Sequence, residues 1–222
     1  MSNLLSPKDL VLEVYKRLYR EYDETAIDEF IDENYIQHNP QVKTGKNGFK
    51  EAYAFIQSLP RPKELGPPPR IIIEDKNYVL VHMDFNFLGK TTSVMDLFRV
   101  EGQKIMEHWD AVQYSPSISD IHHIPFQGIY PIQDLDKTAI HKEFIQDYLI
   151  SRFSDKDPNP AHYLVHYILG EGNMVFSLSS GIQEGRPTVF YEIFRLKNGI
   201  VVEGWAVSQS IPEIMAHENG MI

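Results

Sequence analysis

Apolar and polar residues alternate most cleanly from Ser93 to Gln113, on both sides of Glu101-Gly102-Gln103. A period of two interrupted by a short Gly-containing stretch predicts a β-hairpin. The pattern returns from Val189 to Gln209, with Phe98-Arg99 matched by Phe194-Arg195, Trp109 by Trp205 and Gln113 by Gln209 at unbroken spacing. Such self-similarity indicates an internal duplication. One difference between the copies bears on chemistry: the first carries His108 and Asp110 where the second carries Gly204 and Ala206.

Ahead of the first hairpin the period lengthens. Ser6-Pro7 suits a helix start, and Leu10, Val14, Leu18 and Tyr22 recur at helical spacing, widened by Val11 and Tyr15. A second short helix should bury Ile27, Phe30 and Ile31. Glu33 to Val42 reads as an extended segment ended by Pro40, because proline donates no ladder hydrogen bond. Gly45 to Gly48 reads as a turn, and Phe49 to Leu59 as a third helix. Five prolines between Pro60 and Pro69 make a stiff connector. Arg70 to Glu74 and Tyr78 to Leu88 are strand-like. Behind the first hairpin, Ser115 to Gln133 is irregular. Ile140 to Phe153 then reads as a helix, followed by strands at His162 to Leu169 and Met174 to Ser180. Ser154 to Ala161 leaves no room for counterparts of the second and third helices. The tail from Ile211 to Ile222 reads as a short helix or a frayed end. Helices followed by an antiparallel meander predict an α+β fold, with helices packed on curved antiparallel sheets. The expected domains are 1–115, a linker at 116–133, and an abridged second copy at 134–222.

Charge narrows the class of partner. The chain has 222 residues and a net charge of -10, with no basic run, so a phosphate-rich nucleic acid is a poor partner. It has no cysteine, hence no disulfide and no thiol nucleophile. The first residues lack the apolar core of a signal peptide, and nothing is apolar for long enough to span a bilayer, which fits a cytoplasmic protein.

Short motifs then carry a resemblance: Tyr35-Ile36-Gln37-His38-Asn39-Pro40, Gly48-Phe49, Asp96 to Gly102, and Glu107-His108-Trp109-Asp110, with Leu169 to Asn173 and Glu203-Gly204-Trp205 in the second copy. Asp134 to Thr138 resembles the joint of tandem members. In this order they resemble the SnoaL-like branch of the nuclear transport factor 2-like superfamily. The resemblance implies tandem cone-shaped folds, each with helices closing one end of a curved sheet around an apolar pocket. It also implies polyketide cyclase, isomerase or dehydratase chemistry without a cofactor, or a binding or scaffold domain without chemistry. Fold alone does not choose among these.

Aldol chemistry needs a base for a proton next to a carbonyl and a donor for the resulting oxyanion. The candidates are Asp110 or Asp96 as base, and His108, His82 or His38 as donor. His108 and Asp110 share a strand face, as do His82 and Asp84. Asp96 depends on register: a two-residue turn sets it on the face opposite His108, a three-residue turn beside it. Tyr35, Trp109, Phe98, Tyr53 and Met106 are candidates for holding a small apolar substrate. Recurrence of tryptophan in the chargeless copy also favours packing for Trp109 and Trp205. Large apolar residues on both faces of the hairpin require a second sheet, from the sister copy or another subunit. An internal pseudo-dimer and a homodimer both satisfy that. No metal is expected. His122 and His123 are adjacent and diverge if extended, and His162 and His166 lack a nearby carboxylate.

Overall fold

The computed structural model describes residues 4–60, 69–87, 90–114, 131–156 and 163–222. Most of the connector and of the linker, with His122, His123 and His162, lie outside them. Helix α1 (Pro7–Tyr15) starts where Ser6 Oγ accepts from the Asp9 backbone N–H at 3.1 Å. A π-helical turn, Lys16–Arg20, prolongs it. Leu10, Val11, Val14 and Leu18 are buried as their spacing dictates. Helix α2 (Thr25–Phe30) runs directly into strand β1 (Ile31–Gln37), so Ile31 opens the strand rather than closing the helix. Helix α3 spans Gly45–Ser58. The expected turn at Gly45 to Gly48 is therefore the first turn of a helix. A Cβ on Gly48 would stand 2.0 Å from the Lys43 carbonyl oxygen, so glycine is required there by close backbone approach.

Strands β2 (Ile71–Asp75), β3 (Tyr78–Phe87), β4 (Lys90–Glu101) and β5 (Lys104–Tyr114) form the expected meander. The sheet order is β1-β5-β4-β3-β2, and β1 runs parallel to β5. The sheet is thus mixed, not purely antiparallel: the chain crosses through α3 and three strands before β5 returns beside β1. The β4–β5 turn is two residues long, with Gly102 at φ 53° and Gln103 at φ 67°. Gln103 holds this left-handed conformation while its amide exchanges hydrogen bonds with the backbone N–H and C=O of Leu5, both at 2.9 Å. One residue later the ladder slips. Val100 pairs with Ile105 but Arg99 with Glu107, leaving Met106 as a bulge.

After residue 130, a 3₁₀ turn (Leu135–Lys137) leads into α4 (Thr138–Lys156) and strands β6 (Leu164–Glu171), β7 (Met174–Gln183), β8 (Arg186–Lys197) and β9 (Ile200–Ser210). They form a second sheet in the order β6-β7-β8-β9. The β8–β9 hairpin repeats the β4–β5 hairpin closely. Its turn is Asn198-Gly199, both at positive φ, and Val202 is bulged between the Leu196–Val201 and Arg195–Glu203 pairs. Val100 N donates to Asn77 O and Leu196 N to Asn173 O, each at 2.8 Å. Arg99 Nε meets Glu107 at 2.7 Å, and Arg195 Nε meets Glu203 at 2.6 Å.

The two sheets pack face to face. Their seam buries Leu80, Met95, Leu97, Trp109 and Ala111 of the first against Phe176, Tyr191, Ile193, Trp205 and Val207 of the second. Burial of each large aliphatic or aromatic side chain contributes about 1.5–3 kcal/mol. Contacts across the seam are reciprocal. Gln209 Oε1 accepts from Val112 N at 3.1 Å, and Gln113 Oε1 from Ser208 N at 3.5 Å. The other face of the first sheet, with Val79, Val81, Phe98 and Val100, packs on α1, α2 and α3 through Leu10, Val14, Leu18, Ile27 and Tyr53. Both faces of the first hairpin are thereby covered within one chain. Residues 211–222 form no helix; they run irregularly back over the first sheet. No helix among the described residues is long and apolar enough to cross a membrane.

Candidate active site

The bulge at Met106 decides which side chains meet. With one residue extra on β5, Asp96 stands directly opposite Asp110, and Phe98 opposite His108. Phe98 belongs to the helix-side core, so all four project toward the helices. The turn has two residues, yet the bulge restores the pairing expected of a three-residue one.

Hydrogen bonds order this group. Tyr15 OH of α1 donates to Asp96 Oδ2 at 2.5 Å, and His108 Nε2 lies 3.1 Å from Asp96 Oδ1. His108 Nδ1 lies 3.2 Å from Gln37 Oε1. The Asn39 backbone N–H also donates to Gln37 Oε1, at 2.8 Å, and Gln37 Nε2 donates to Tyr35 OH at 2.9 Å. An atom that accepts from a backbone N–H is the amide oxygen, so His108 Nδ1 must carry a proton. Nε2 then faces Asp96 either as the second N–H of an imidazolium or across a proton held by the acid. The far side of the ring stacks on Phe98, with centroids 4.6 Å apart.

Asp110 is placed differently. Asn39 Nδ2 donates to its Oδ2 at 2.7 Å, while Oδ1 is buried without a hydrogen-bond partner. Burial pushes its pKa up from 3.8 to about 6; Asp96 adds to the rise, and His108 and Asn39 oppose it. Burial pulls His108 down, but its hydrogen bond to Asp96 and the two carboxylate charges overcome that and raise it above 6.5. Burial, with the Asp96 and Asp110 charges, also raises the hydroxyls of Tyr15, Tyr19 and Tyr35. One donor atom each from Asp96, His108 and Asp110 lies within 4.8 Å of the others, a spacing a metal ion could bridge. In the geometry present, His108 Nε2 is already turned onto Asp96.

Of the five residues expected to do chemistry, these three converge and two do not. His38 stacks on Trp109 at 4.7 Å and bonds Glu107 Oε1 and the Gly220 carbonyl, each at 2.9 Å. That places it on the seam side. His82 alternates with the seam residue Leu80 and lies 3.1 Å from Ser93 Oγ and 3.4 Å from Asp84 Oδ1. Arg70 Nε meets Asp84 Oδ2 at 2.9 Å; burial opposes but these partners together hold the Asp84 pKa down to about 2.

Among the expected substrate-holding residues, Phe98 walls His108, and Tyr35 is tied to Gln37. Tyr53 donates to the Leu18 carbonyl at 2.9 Å in the helix-side core. Trp109 lies in the seam, and Met106 is the bulged residue. Tyr15, Gln37 and Asn39 were not anticipated. Tyr15 reads as one more position of an apolar stripe, and Gln37 and Asn39 flank the more conspicuous His38. A groove of about 650 Å³ runs along the outer side of α1, between Leu12, Arg17 and Phe30, and none of the acid cluster lines it.

Residues 11–108 match the family described as the SnoaL-like domain. Among solved structures, an NTF2-like protein of unknown function from Cytophaga hutchinsonii is similar at 22% identity and a TM-score of 0.41, over 52% of this chain and 96% of that one. A SnoaL-like polyketide cyclase from Agrobacterium tumefaciens matches at 16% identity and a TM-score of 0.39, over 49% and 92%. An NTF2-like protein from Anabaena variabilis matches at 15% identity and a TM-score of 0.41, over 53% and 96%. No curated protein matches. The matched residues span the first sheet and its helices up to His108 on β5.

Proposed function

We propose that the front half is a cofactor-independent acid/base catalyst acting on a small, partly apolar carbonyl compound, by aldol cyclisation, isomerisation or dehydration. The observation that carries this is Asp110: a buried carboxylate with one oxygen uncommitted and a pKa of about 6. Such a group is mostly ionised at neutral pH and more basic than an exposed aspartate, which is what removal of a proton next to a carbonyl requires. His108, held by Gln37 and Asp96, supplies positive potential for the developing enolate. Tyr35 OH accepts from Gln37 Nε2, so its own proton is free to donate to the same oxygen. His38 and His82 take structural roles. Solvent does not reach Asp110 Oδ1 in this state, so a substrate must open the site to meet it. The rear half is an abridged second copy, retained to cover the front sheet.

The test is exchange of deuterium from D₂O into small ketones at the carbon next to the carbonyl, followed by NMR. Asp110→Asn should slow exchange by about 10²–10⁴-fold. Equal rates in wild type, Asp110→Asn and Asp96→Asn would remove the base. Tight ketone binding without exchange in the wild type would instead make the front half a binding module.

A further inference from the structure

Strand β1 ends at Gln37; the His38 N–H still donates to the His108 carbonyl of β5 at 2.9 Å, and beyond it no strand pairing holds the residues from Asn39 to Thr44. The two residues flanking His38 fix the acid cluster: Gln37 on His108 and Asn39 on Asp110. Besides the bonds this segment makes within itself and to β5, its backbone is held by the other half of the molecule. Ala216 N donates to Pro40 O at 2.8 Å. His217 Nε2 donates to Asn39 O at 2.9 Å. Asn219 Nδ2 donates to Gln37 O at 2.9 Å and to Thr44 Oγ1 at 3.0 Å. His38 Nδ1 donates to Gly220 O at 2.9 Å. Every residue from Gln37 to Pro40 is thus bonded by the segment that follows β9. The segment is itself fixed: Met221 is buried in the seam, and Ile211 N donates to Pro187 O at 2.8 Å. His217 is committed to one tautomer, because the Asn219 N–H donates to its Nδ1 at 3.2 Å. Asn39 is likewise locked, with Oδ1 accepting from Gln41 N at 2.9 Å, so its amino group must face Asp110.

We infer that His217 and Asn219 are positioning residues for the acid cluster, acting through the backbone of Gln37 and Asn39. The rear half, which carries no counterpart of His108 or Asp110, thereby governs the site in front. The effect on turnover rests on the proposed function; the effect on side-chain geometry does not.

The experiment uses the full chain with ¹³C-labelled aspartate and labelled histidine, titrated by NMR. Asn219→Asp places a carboxylate against the Gln37 carbonyl, and His217→Ala removes a donor. Both should raise the Asp110 midpoint by roughly half a pH unit, because the Asn39 hydrogen bond that holds it down is loosened. His217→Gln, which keeps a donor near Nε2, should restore it. Asn219→Ser serves where Asn219→Asp does not fold. If the proposed function holds, kcat falls about tenfold with KM unchanged in the first two variants. Unaltered Asp110 and His108 midpoints in folded His217→Ala and Asn219→Ser would overturn the inference. So would a shift that His217→Gln fails to reverse. A wild type without turnover would count against the catalytic proposal alone, since the titration still decides the positioning role.

Discussion

The two hairpins, β4–β5 and β8–β9, share turn length, bulge, register, the Arg–Glu pair and the seam tryptophan. They part on the helix side. Opposite Asp96 stands Asp110; opposite Glu192 stands Ala206. Glu192 is closed on both oxygens by Arg152 of α4, at 2.9 and 2.6 Å. Among the described residues Asp96 and Asp110 meet no arginine, and they share a histidine, a tyrosine and an amide among four oxygens, one of which is left over. One framework therefore sets an acid against an arginine and, at the sister position, against a second carboxylate. The local charge balance, not the fold, separates them.

Truncating the seam should test the shared framework most severely. Trp109→Ala and Trp205→Ala, both buried in the seam, should each cost about 3–5 kcal/mol in urea unfolding. A cost under about 1 kcal/mol for either would mean the seam is not what holds the two sheets together.

Neutralising the acids should then give opposite signs. Glu192→Gln leaves Arg152 facing a neutral amide and should destabilise by about 3 kcal/mol or more. Asp110→Asn should do the reverse at high pH. The folded pKa of about 6 lies above the ordinary 3.8, so the folded state holds this proton more tightly than the unfolded one. The stability it contributes is full below about pH 4 and is lost as pH rises through about 6. At pH 8 Asp110→Asn should be more stable than wild type by roughly 3 kcal/mol, and at pH 3 no more stable. Chemical unfolding at the two pH values reads this directly. The smallest effect belongs to the seam glutamines: Gln113→Ala and Gln209→Ala should each cost about 1 kcal/mol, with Gln209 the larger because its bond is shorter.

Much of this architecture was legible in the residues. Period-two runs located both hairpins, the Leu10–Val14–Leu18 stripe located α1, and apolar residues on both hairpin faces required a second sheet. The convergence of Asp96 with His108 and Asp110 was left open, because a bulge has no signature in an alternation of two residue classes. The parallel pairing of β1, the helical start at Gly45 and the course of residues 211–222 were missed. Each depends on contacts between distant parts of the chain, as between His38 and Gly220, which local propensity does not encode. His38 and His82 looked equivalent to His108, and the side of a sheet a lone histidine faces is settled only by its neighbours' packing.

The extra residue at Met106 has a genetic corollary. Side chains on a strand alternate, so loss of that single codon would rotate the remainder of β5 by half a turn, swinging Trp109 under the helices and both His108 and Asp110 into the oily seam. Base changes can retune this acid, whereas an insertion or deletion there relocates it, and sequence drift in the gene should avoid indels at that spot even where it tolerates replacement of the methionine.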